Sequence, residues 1–325
     1  MAGALKDALL DAGAALYAAG WEARRRVYAA GLLAPRRVRA RVVSVGNLTV
    51  GGTGKTTLTL HLARLALARG RDAAVVCRRY RPGSAGVGDE ERLYAAALGE
   101  ARVYAGRDKH TLARAAAAVG RSLVIVDDGF SHWRLERDLD VVLLDAQDLW
   151  GGGRLLPAGR LREPRRALER AGVVVVSRLA PGDEVAPRFE EVRRCAPAAL
   201  LAAGRHRVVA VRGLEGCALP AAGPARVVTG TGNPRAVERT AREAGFEPVS
   251  LSAYRDHHWF SPGEARRELE QARAAEATLV LTAKDEVRWP AGARDGRVAV
   301  LEVAWEWVVG GEAVERMVLD GGERK

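Results

Sequence analysis

Short apolar runs alternate with segments of helical periodicity in the first two-thirds of the chain. Runs typical of buried strands occupy residues 42–46, 73–77, 123–126, 141–144 and 173–176. Between several of them, apolar side chains recur three and four residues apart, which predicts helices over 58–68, 88–98 and 108–119. Buried strands that alternate with helices indicate a parallel, doubly wound sheet, whose ligands bind at the carboxyl ends of the strands.

The pattern is renewed after about residue 200, where a second and smaller α/β unit is predicted. Its expected elements are strands over 207–211, 226–229 and 278–282 and helices over 235–244 and 263–275. Residues 204–223 are expected to form the connection. The predicted organisation is therefore an N-terminal helix over 1–35, a first domain over 36–205 and a second over 206–325.

The N-terminal segment 2–33 has helical spacing of leucine and aromatic residues, interrupted by three arginines at 24–26. Two interpretations stay open. An amphipathic helix with basic clusters can lie on an anionic bilayer surface. The same helix can equally pack against its own domain and leave its arginines in solvent.

A glycine-rich loop follows the first predicted strand and precedes a predicted helix. Its sequence is Val45-Gly46-Asn47-Leu48-Thr49-Val50-Gly51-Gly52-Thr53-Gly54-Lys55-Thr56-Thr57. Such glycines let successive N–H groups point at phosphate oxygens, at the positive end of the helix dipole. Lys55 is expected on the β- and γ-phosphates and the Thr56 hydroxyl on Mg²⁺. The strict pattern has glycine where this chain has Thr49, so a chance glycine-rich turn is the competing interpretation.

The expected phosphate-binding residues are Gly51, Gly52, Thr53, Gly54, Lys55, Thr56 and Thr57. Lysine is rare in this chain. Among 51 basic residues, the lysines are Lys6, Lys55, Lys109, Lys284 and Lys325. A lysine at position 55 suits a site that needs a compact ammonium, where the planar guanidinium of arginine would not fit.

Three acidic clusters are candidates for further chemistry. The strand over 123–126 ends in Asp127-Asp128, the form of a Walker B strand, whose acid holds Mg²⁺ directly or through water. Asp89-Glu90-Glu91 begins a predicted helix, where acids are also favoured by the helix dipole alone. Asp256-His257-His258 lies in a predicted loop, and a carboxylate beside an imidazole can orient it for proton transfer or bind a metal.

The composition limits the classes of binding partner and the cellular compartment that we expect. A net charge of +11 over 325 residues favours anionic partners, although an arginine bias can also follow from the base composition of the genome. Three scattered cysteines support neither a disulfide framework nor a zinc site, and a reducing compartment fits them best. No apolar run approaches the roughly 18 residues that span a bilayer, and we expect no signal peptide.

The motifs together resemble the tetraacyldisaccharide 4'-kinase family, the lipid A 4'-kinases. The resemblance rests on Gly46–Thr56, Gly88-Asp89-Glu90, Asp127-Asp128-Gly129-Phe130, Arg137-Asp138-Leu139, Leu155–Gly159, Leu161-Arg162-Glu163-Pro164, Gly232-Asn233-Pro234, Asp256-His257-His258 and Thr282–Asp285. These motifs follow the family's order and cover nearly the whole chain.

The resemblance implies a P-loop NTPase-like fold, a mostly parallel sheet flanked by helices, with a second, smaller α/β domain that closes the active-site cleft. It implies ATP- and Mg²⁺-dependent phosphorylation of the 4'-hydroxyl of a tetraacylated glucosamine disaccharide 1-phosphate, which gives lipid IVA. It places the enzyme peripherally at the cytoplasmic face of the bacterial inner membrane. It also implies that Asp89, coupled to His257, is the base, and that Asp127 and Asp128 organise the metal, with Asp128 among the catalytic residues. No obligate protein partner is inferred.

Several positions depart from the family pattern. The family usually has glycine at Arg79, glutamine at Ser131, and proline at Thr57, Glu91 and Arg160. The departure at Arg79 puts the backbone or a substrate contact over 78–83 in question. None of the departures removes a group that the chemistry requires, so we expect an active but divergent member.

Two other classes compete with the kinase. The phosphate loop also resembles that of partition-type ATPases and GTPase-like switch proteins, although those usually carry a second lysine where this chain has Val50. A nucleic-acid-binding protein is suggested by charge alone. With aromatic residues at only 5% and no recognisable reader motif, we expect no nucleic-acid partner.

Overall fold

The computed structural model describes residues 2–79 and 86–320. Its strands are β1 (Arg41–Asn47), β2 (Ala73–Arg78), β3 (Val103–Gly106), β4 (Leu123–Asp127), β5 (Leu139–Asp145), β6 (Val173–Ser177), β7 (Leu200–Gly213), β8 (Pro224–Thr229), β9 (Glu247–Ala253), β10 (Thr278–Thr282) and β11 (Val298–Val309). Its α-helices are α1 (Ala2–Ala29), α2 (Lys55–Ala68), α3 (Asp89–Leu98), α4 (Lys109–Ala118), α5 (Ala186–Arg193), α6 (Pro234–Ala244), α7 (Pro262–Ala274), α8 (Ala283–Glu286) and α9 (Gly311–Asp320). Short 3₁₀ helices occupy Glu100–Arg102 and Arg165–Arg170.

The chain forms two compact units. The first comprises Met1–Cys77, Arg102–Arg205 and Glu306–Lys325, and the second comprises Arg78–Ala101 and His206–Trp305. The chain thus enters the second unit twice. The segment 78–101, which carries Asp89, groups with residues from the C-terminal half, and the last helix groups with the first unit. A single boundary near residue 205 does not describe this grouping.

The first unit contains a sheet with the strand order β3-β2-β4-β1-β5-β6-β7. The pairs from β2 through β7 run parallel. Strands β4 and β6 are almost continuously apolar because helices cover both faces of a parallel sheet. The register places Val45 beside Asp127, so the ends of β1 and β4 lie side by side. The predicted mostly parallel sheet flanked by helices is confirmed.

The second unit contains the strands β11-β10-β8-β9, with parallel pairs throughout. One core cluster packs α7 against the sheet through Leu269 and Leu279. Another packs α6 through Val237 and Val280. Because the loops that follow β8 and β10 leave the same edge of this sheet, they bring residues around 230 and 284 to one end of it.

Several elements differ from the prediction. Helix α1 ends at Ala29, and the arginines do not interrupt it, since arginine is a good helix former, and Arg25 and Arg26 both donate hydrogen bonds to Glu22. Strand β7 runs through half of the expected connection. Strands β9 and β11 and helices α5, α8 and α9 were not predicted. Helix α5 has only two large apolar residues, too few for a periodic signal.

No helix within the described residues is long and apolar enough to cross a bilayer.

Candidate functional site

The glycine loop connects β1 to α2 in the first unit. Gly51 and Gly54 have φ of +106° and +90°, a left-handed region that a side chain would strain. Gly54 is the N-cap of α2, so Lys55 and Thr56 are its first two residues. The N–H groups of a first helical turn have no partner within the helix and carry its positive dipole end. The loop can therefore receive an anionic group.

Asp127 and Asp128 end β4 beside this loop. Asp127 is buried, and Asp128 is half-buried with a backbone φ of +52°. The Lys55 ammonium lies 3.6 Å from the Asp128 carboxylate. Burial would raise the pKa of Asp128, but the charge of Lys55 and the hydrogen bonds and charge of Arg162 outweigh it and hold that pKa well below its usual range. Asp128 is therefore a carboxylate at neutral pH.

Arg162 holds the Asp128 carboxylate with two parallel hydrogen bonds. Its Nη1 and Nη2 donate to the two carboxylate oxygens at 2.8 and 2.7 Å. Nη2 also donates to the side-chain oxygen of Asn47 at the end of β1. Such a bidentate pair fixes the plane of the carboxylate as well as its charge. The Arg162 side chain thus ties the ends of β1 and β4 together.

Lys109 contacts the backbone of the same two acids. It is 5% exposed, and its ammonium donates to the main-chain carbonyls of Asp127, at 2.6 Å, and of Asp128. These hydrogen bonds hold the backbone at the left-handed turn of Asp128, and the charge of Lys109 also lowers the pKa of the Asp128 carboxyl.

Asp127, Asp128 and Thr56 could hold a metal ion. No cluster of three or more histidine, cysteine or carboxylate side chains suited to a metal occurs in residues 2–79 and 86–320. Mg²⁺ needs no such cluster, because it commonly binds one or two carboxylates and takes its other oxygens from phosphates and water. Two carboxylates and a hydroxyl beside a phosphate loop are a donor set of that kind.

Asp89 and His257 lie together in the second unit, although 168 residues separate them in the chain. Nδ1 of His257 lies 2.8 Å from Oδ2 of Asp89, a hydrogen bond in which the imidazole N–H donates. Asp89 is 2% exposed at the start of α3. Burial raises the pKa of Asp89, but the hydrogen bond from His257 and the charges of Lys284 and Arg288 lower it to about 2. Asp89 is accordingly charged at neutral pH despite its burial.

The acids that follow Asp89 form specific pairs, which the helix dipole alone does not require. Glu90 accepts a hydrogen bond from Lys284 at 2.9 Å. Glu91 accepts two from Arg79, at 2.9 and 2.8 Å. The departures from the family pattern at 79 and 91 are therefore partners of one another. Of the segment 78–83, residues 80–83 lie outside the described part of the chain.

The neighbouring His258 is engaged elsewhere. Its Nε2 lies 3.0 Å from Glu264, and its ring stacks on Tyr254. Of the two adjacent histidines, His257 is the one beside Asp89.

Helix α1 has two distinct faces in the first unit. Trp21 packs into the core and donates a hydrogen bond to the buried Glu163 at 3.0 Å. Leu5, Leu9 and Leu16 are 65%, 66% and 75% exposed. At 100° per residue these leucines fall within about 40° of one another, so they form one apolar stripe. The packing of Trp21 shows that the helix packs against its own domain, and the contact with a bilayer stays a prediction.

Lys109, Lys284, Arg162 and Arg288 were not assigned roles from the sequence. The rarity of lysine could have found two of them. Lys55 lies beside Asp128, Lys109 donates to the carbonyl of Asp127, and Lys284 donates to Glu90. Arg162 lies within the motif Leu161–Pro164 that carries the family resemblance, whereas Arg288 has no comparable signal, since arginine is abundant along the whole chain.

The chain matches the family model described as tetraacyldisaccharide-1-P 4'-kinase over residues 7–321. The tetraacyldisaccharide 4'-kinase of Anaeromyxobacter sp. (strain Fw109-5) is 39% identical over 297 residues, covering 83% of this chain and 79% of that protein. That of Syntrophobacter fumaroxidans is 37% identical over 297 residues, covering 84% and 77%. The crystal structure of "apo" form LpxK from Aquifex aeolicus in complex with ATP has a TM-score of 0.71 at 23% identity, covering 97% of this chain and 98% of that one, and thus has the same fold.

Proposed function

Since the chain belongs to the tetraacyldisaccharide-1-P 4'-kinase family, we propose that it transfers the γ-phosphoryl group of ATP to the 4'-hydroxyl of a tetraacylated glucosamine disaccharide 1-phosphate and so makes lipid IVA. The observation that carries the proposal is the pair of charged clusters described above. One surrounds a phosphate loop, and the other surrounds a buried carboxylate with an imidazole partner.

The phosphate loop binds the donor. Main-chain N–H groups of Gly51–Thr56 and the ammonium of Lys55 neutralise the triphosphate, and Thr57 extends the same turn of α2. Lys55 exchanges its partner Asp128 for a phosphate oxygen when ATP enters. Phosphoryl transfer depends mostly on alignment and on neutralised charge, which is what this loop supplies.

Thr56, Asp127 and Asp128 would hold Mg²⁺, which would supply charge neutralisation at the phosphates of the donor. The two hydrogen bonds from Arg162 keep the plane of the Asp128 carboxylate fixed during phosphoryl transfer. The hydrogen bond from Lys109 to the Asp128 carbonyl keeps the backbone of Asp128 fixed.

Asp89 orients the acceptor hydroxyl and takes its proton. The bond between γ-phosphorus and the β,γ-bridging oxygen breaks while the bond to the 4'-oxygen forms, and ADP leaves. A carboxylate whose pKa is about 2 is a weak base. It can still align the hydroxyl while the nucleophile keeps its proton until late in a loose transition state. His257, which donates its Nδ1 proton to Oδ2 of Asp89, fixes the orientation of the carboxylate that takes the hydroxyl proton.

The acceptor carries four acyl chains and stays in a bilayer, so the enzyme must reach an anionic membrane surface. The leucine stripe of α1 (Leu5, Leu9 and Leu16) supplies apolar contact, and the net charge of +11 supplies attraction to anionic headgroups. These features support peripheral attachment, and the proposed place of action is the cytoplasmic face of the inner membrane.

Transfer is tested by incubating the chain with ATP, Mg²⁺ and the tetraacylated disaccharide 1-phosphate, and by locating the added phosphate through mass spectrometry. Asp89→Ala should abolish transfer and leave ATP binding intact. Full turnover by Asp89→Ala would remove Asp89 from the mechanism. A preference for guanine nucleotides, or dimerisation driven by nucleotide, would support a switch protein instead of a kinase.

Membrane contact is tested by co-sedimentation with phosphatidylglycerol vesicles. Leu9→Ser combined with Leu16→Ser should reduce the bound fraction several-fold. Val119→Ser, at an apolar residue that is 63% exposed outside α1, is the matched control and should bind normally. Equal binding of both variants would contradict a role for the leucine stripe.

A further inference from the structure

Arg288 is a fully buried charge in the second unit. Its side chain is 0% exposed, just beyond the end of α8. Burying an ionised group costs several kcal/mol unless ion pairs and hydrogen bonds compensate it. The partners of Arg288 therefore indicate what this charge holds in place.

The guanidinium bonds to three different groups. Nε donates to the carbonyl of Lys284 at 3.0 Å, Nη1 to the carbonyl of Gly230 at 2.8 Å, and Nη2 to the Asp285 carboxylate at 2.7 Å. Asp285, also 0% exposed, accepts the N–H of Gly230 at 2.8 Å with the same oxygen. Arg288 and Asp285 thus grip both the N–H and the carbonyl of Gly230, in the loop after β8.

The Gly230 carbonyl also contacts His257. The backbone N–H of His257 donates to that carbonyl at 3.0 Å. His257 has a φ of +60°, which is uncommon for a residue with a side chain and costs of the order of 1 kcal/mol. The surroundings must hold such a conformation in place, and the Gly230 carbonyl is one anchor that does so.

The same guanidinium lies beside Asp89. Nε of Arg288 is 3.7 Å from Oδ2 of Asp89, the oxygen that accepts the hydrogen bond from His257. Arg288 therefore lies beside the Asp89 carboxylate, and it shares the Gly230 carbonyl as an acceptor with the backbone N–H of His257.

We propose that Arg288, fixed by Asp285, is a positioning residue that holds Asp89 and His257 in their mutual orientation. This inference rests on the proposed function, because the orientation matters for transfer only if Asp89 aligns the acceptor hydroxyl. Arg288 acts through Asp89 and His257 and touches no substrate.

Arg288→Lys is the decisive variant. It keeps a positive charge in the cavity, but one ammonium cannot reproduce the planar arrangement of donors to Gly230, Lys284 and Asp285. We expect kcat to fall about 10- to 100-fold, the cost of a misplaced catalytic group. KM for ATP should stay within about twofold, because the phosphate loop belongs to the other unit. Asp285→Asn should also lower kcat, because Asp285 fixes Arg288.

Arg226→Met is the matched control. Arg226 is also an arginine of the second unit that pairs with a buried acid, Glu268, and it bonds to Ser250 and Ser252 of β9. It should lower the melting temperature while keeping kcat within about twofold. The Nδ1 proton of His257, followed by NMR, should shift in Arg288→Lys and stay in place in Arg226→Met, because only the first variant alters the pair.

The outcomes separate the two hypotheses. Wild-type kcat and an unshifted His257 proton in Arg288→Lys, with transfer abolished in Asp89→Ala, would overturn the positioning role and leave the proposed function intact. Absence of transfer by the wild type would instead overturn the proposed function, and full transfer by Asp89→Ala would remove Asp89 from the mechanism and the positioning role with it. A loss of kcat in Arg226→Met as large as that in Arg288→Lys would identify Arg288 as structural only.

Discussion

Replacing Asp89 by asparagine should make the stability of the protein respond differently to pH. The substitution keeps the shape of the side chain and removes its charge. Asp89 is 2% exposed and lies beside His257, Lys284 and Arg288, which lower its pKa to about 2. The asparagine variant loses this electrostatic stabilisation of a carboxylate.

The magnitude follows from the pKa of Asp89 in the folded and unfolded chain. The ordinary value is 3.8, so a folded value of about 2 stabilises the charged form by about 2 kcal/mol at pH 7, at about 1.4 kcal/mol per unit. Because the folded pKa is the lower one, this stabilisation is complete above the unfolded value and is lost as the pH falls toward 2. At pH 3 about half of it, roughly 1 kcal/mol, remains.

The measurement is urea unfolding of the wild type and of Asp89→Asn at pH 7 and at pH 3. The difference in unfolding free energy should shrink by about 1 kcal/mol between the two pH values. Loss of charge compensation for Arg288 and Lys284 adds a penalty present at both pH values, so the change in the difference is the quantity to compare. Glu247→Gln, at an exposed carboxylate of the same unit, should show differences within about 0.5 kcal/mol at both. If the difference in unfolding free energy between the wild type and Asp89→Asn is the same at pH 7 and pH 3, then the pKa of Asp89 is not lowered in the folded protein.

Three other predictions concern the charged clusters. Lys55→Ala should weaken ATP binding about 10- to 100-fold in calorimetry, the loss of a charge-assisted contact, whereas unchanged affinity would refute the phosphate-loop assignment. Arg162→Lys should lower kcat about tenfold without unfolding the protein, because it loses the two parallel bonds to Asp128, and a wild-type rate would show that the plane of that carboxylate is unimportant. A double-mutant cycle with Arg79→Ala and Glu91→Ala should give a coupling of about 0.2–1 kcal/mol that salt reduces, since Arg79 is 45% exposed; no measurable coupling would mean that the pair does not compensate for the two departures.

Local sequence patterns were sufficient to predict most elements of the first unit. Strands such as β4 and β6 are continuous apolar runs, and a buried parallel strand needs no partner information to be recognised. The phosphate loop was equally local, because the left-handed turns at Gly51 and Gly54 require glycine whatever surrounds them. Elements without a strong period, such as α5, form only because tertiary packing supplies what their sequence lacks.

The pairing of charged side chains, in contrast, depends on how distant segments pack together. The family resemblance implied the coupling of Asp89 to His257, but no local pattern links residues 168 positions apart. Nor could the pattern distinguish the buried Arg288 from the many arginines in solvent, because burial of a charge depends on the partners that the fold assembles around it. Periodicity and turn chemistry act over a few residues, whereas ion pairing and desolvation depend on every segment packed nearby.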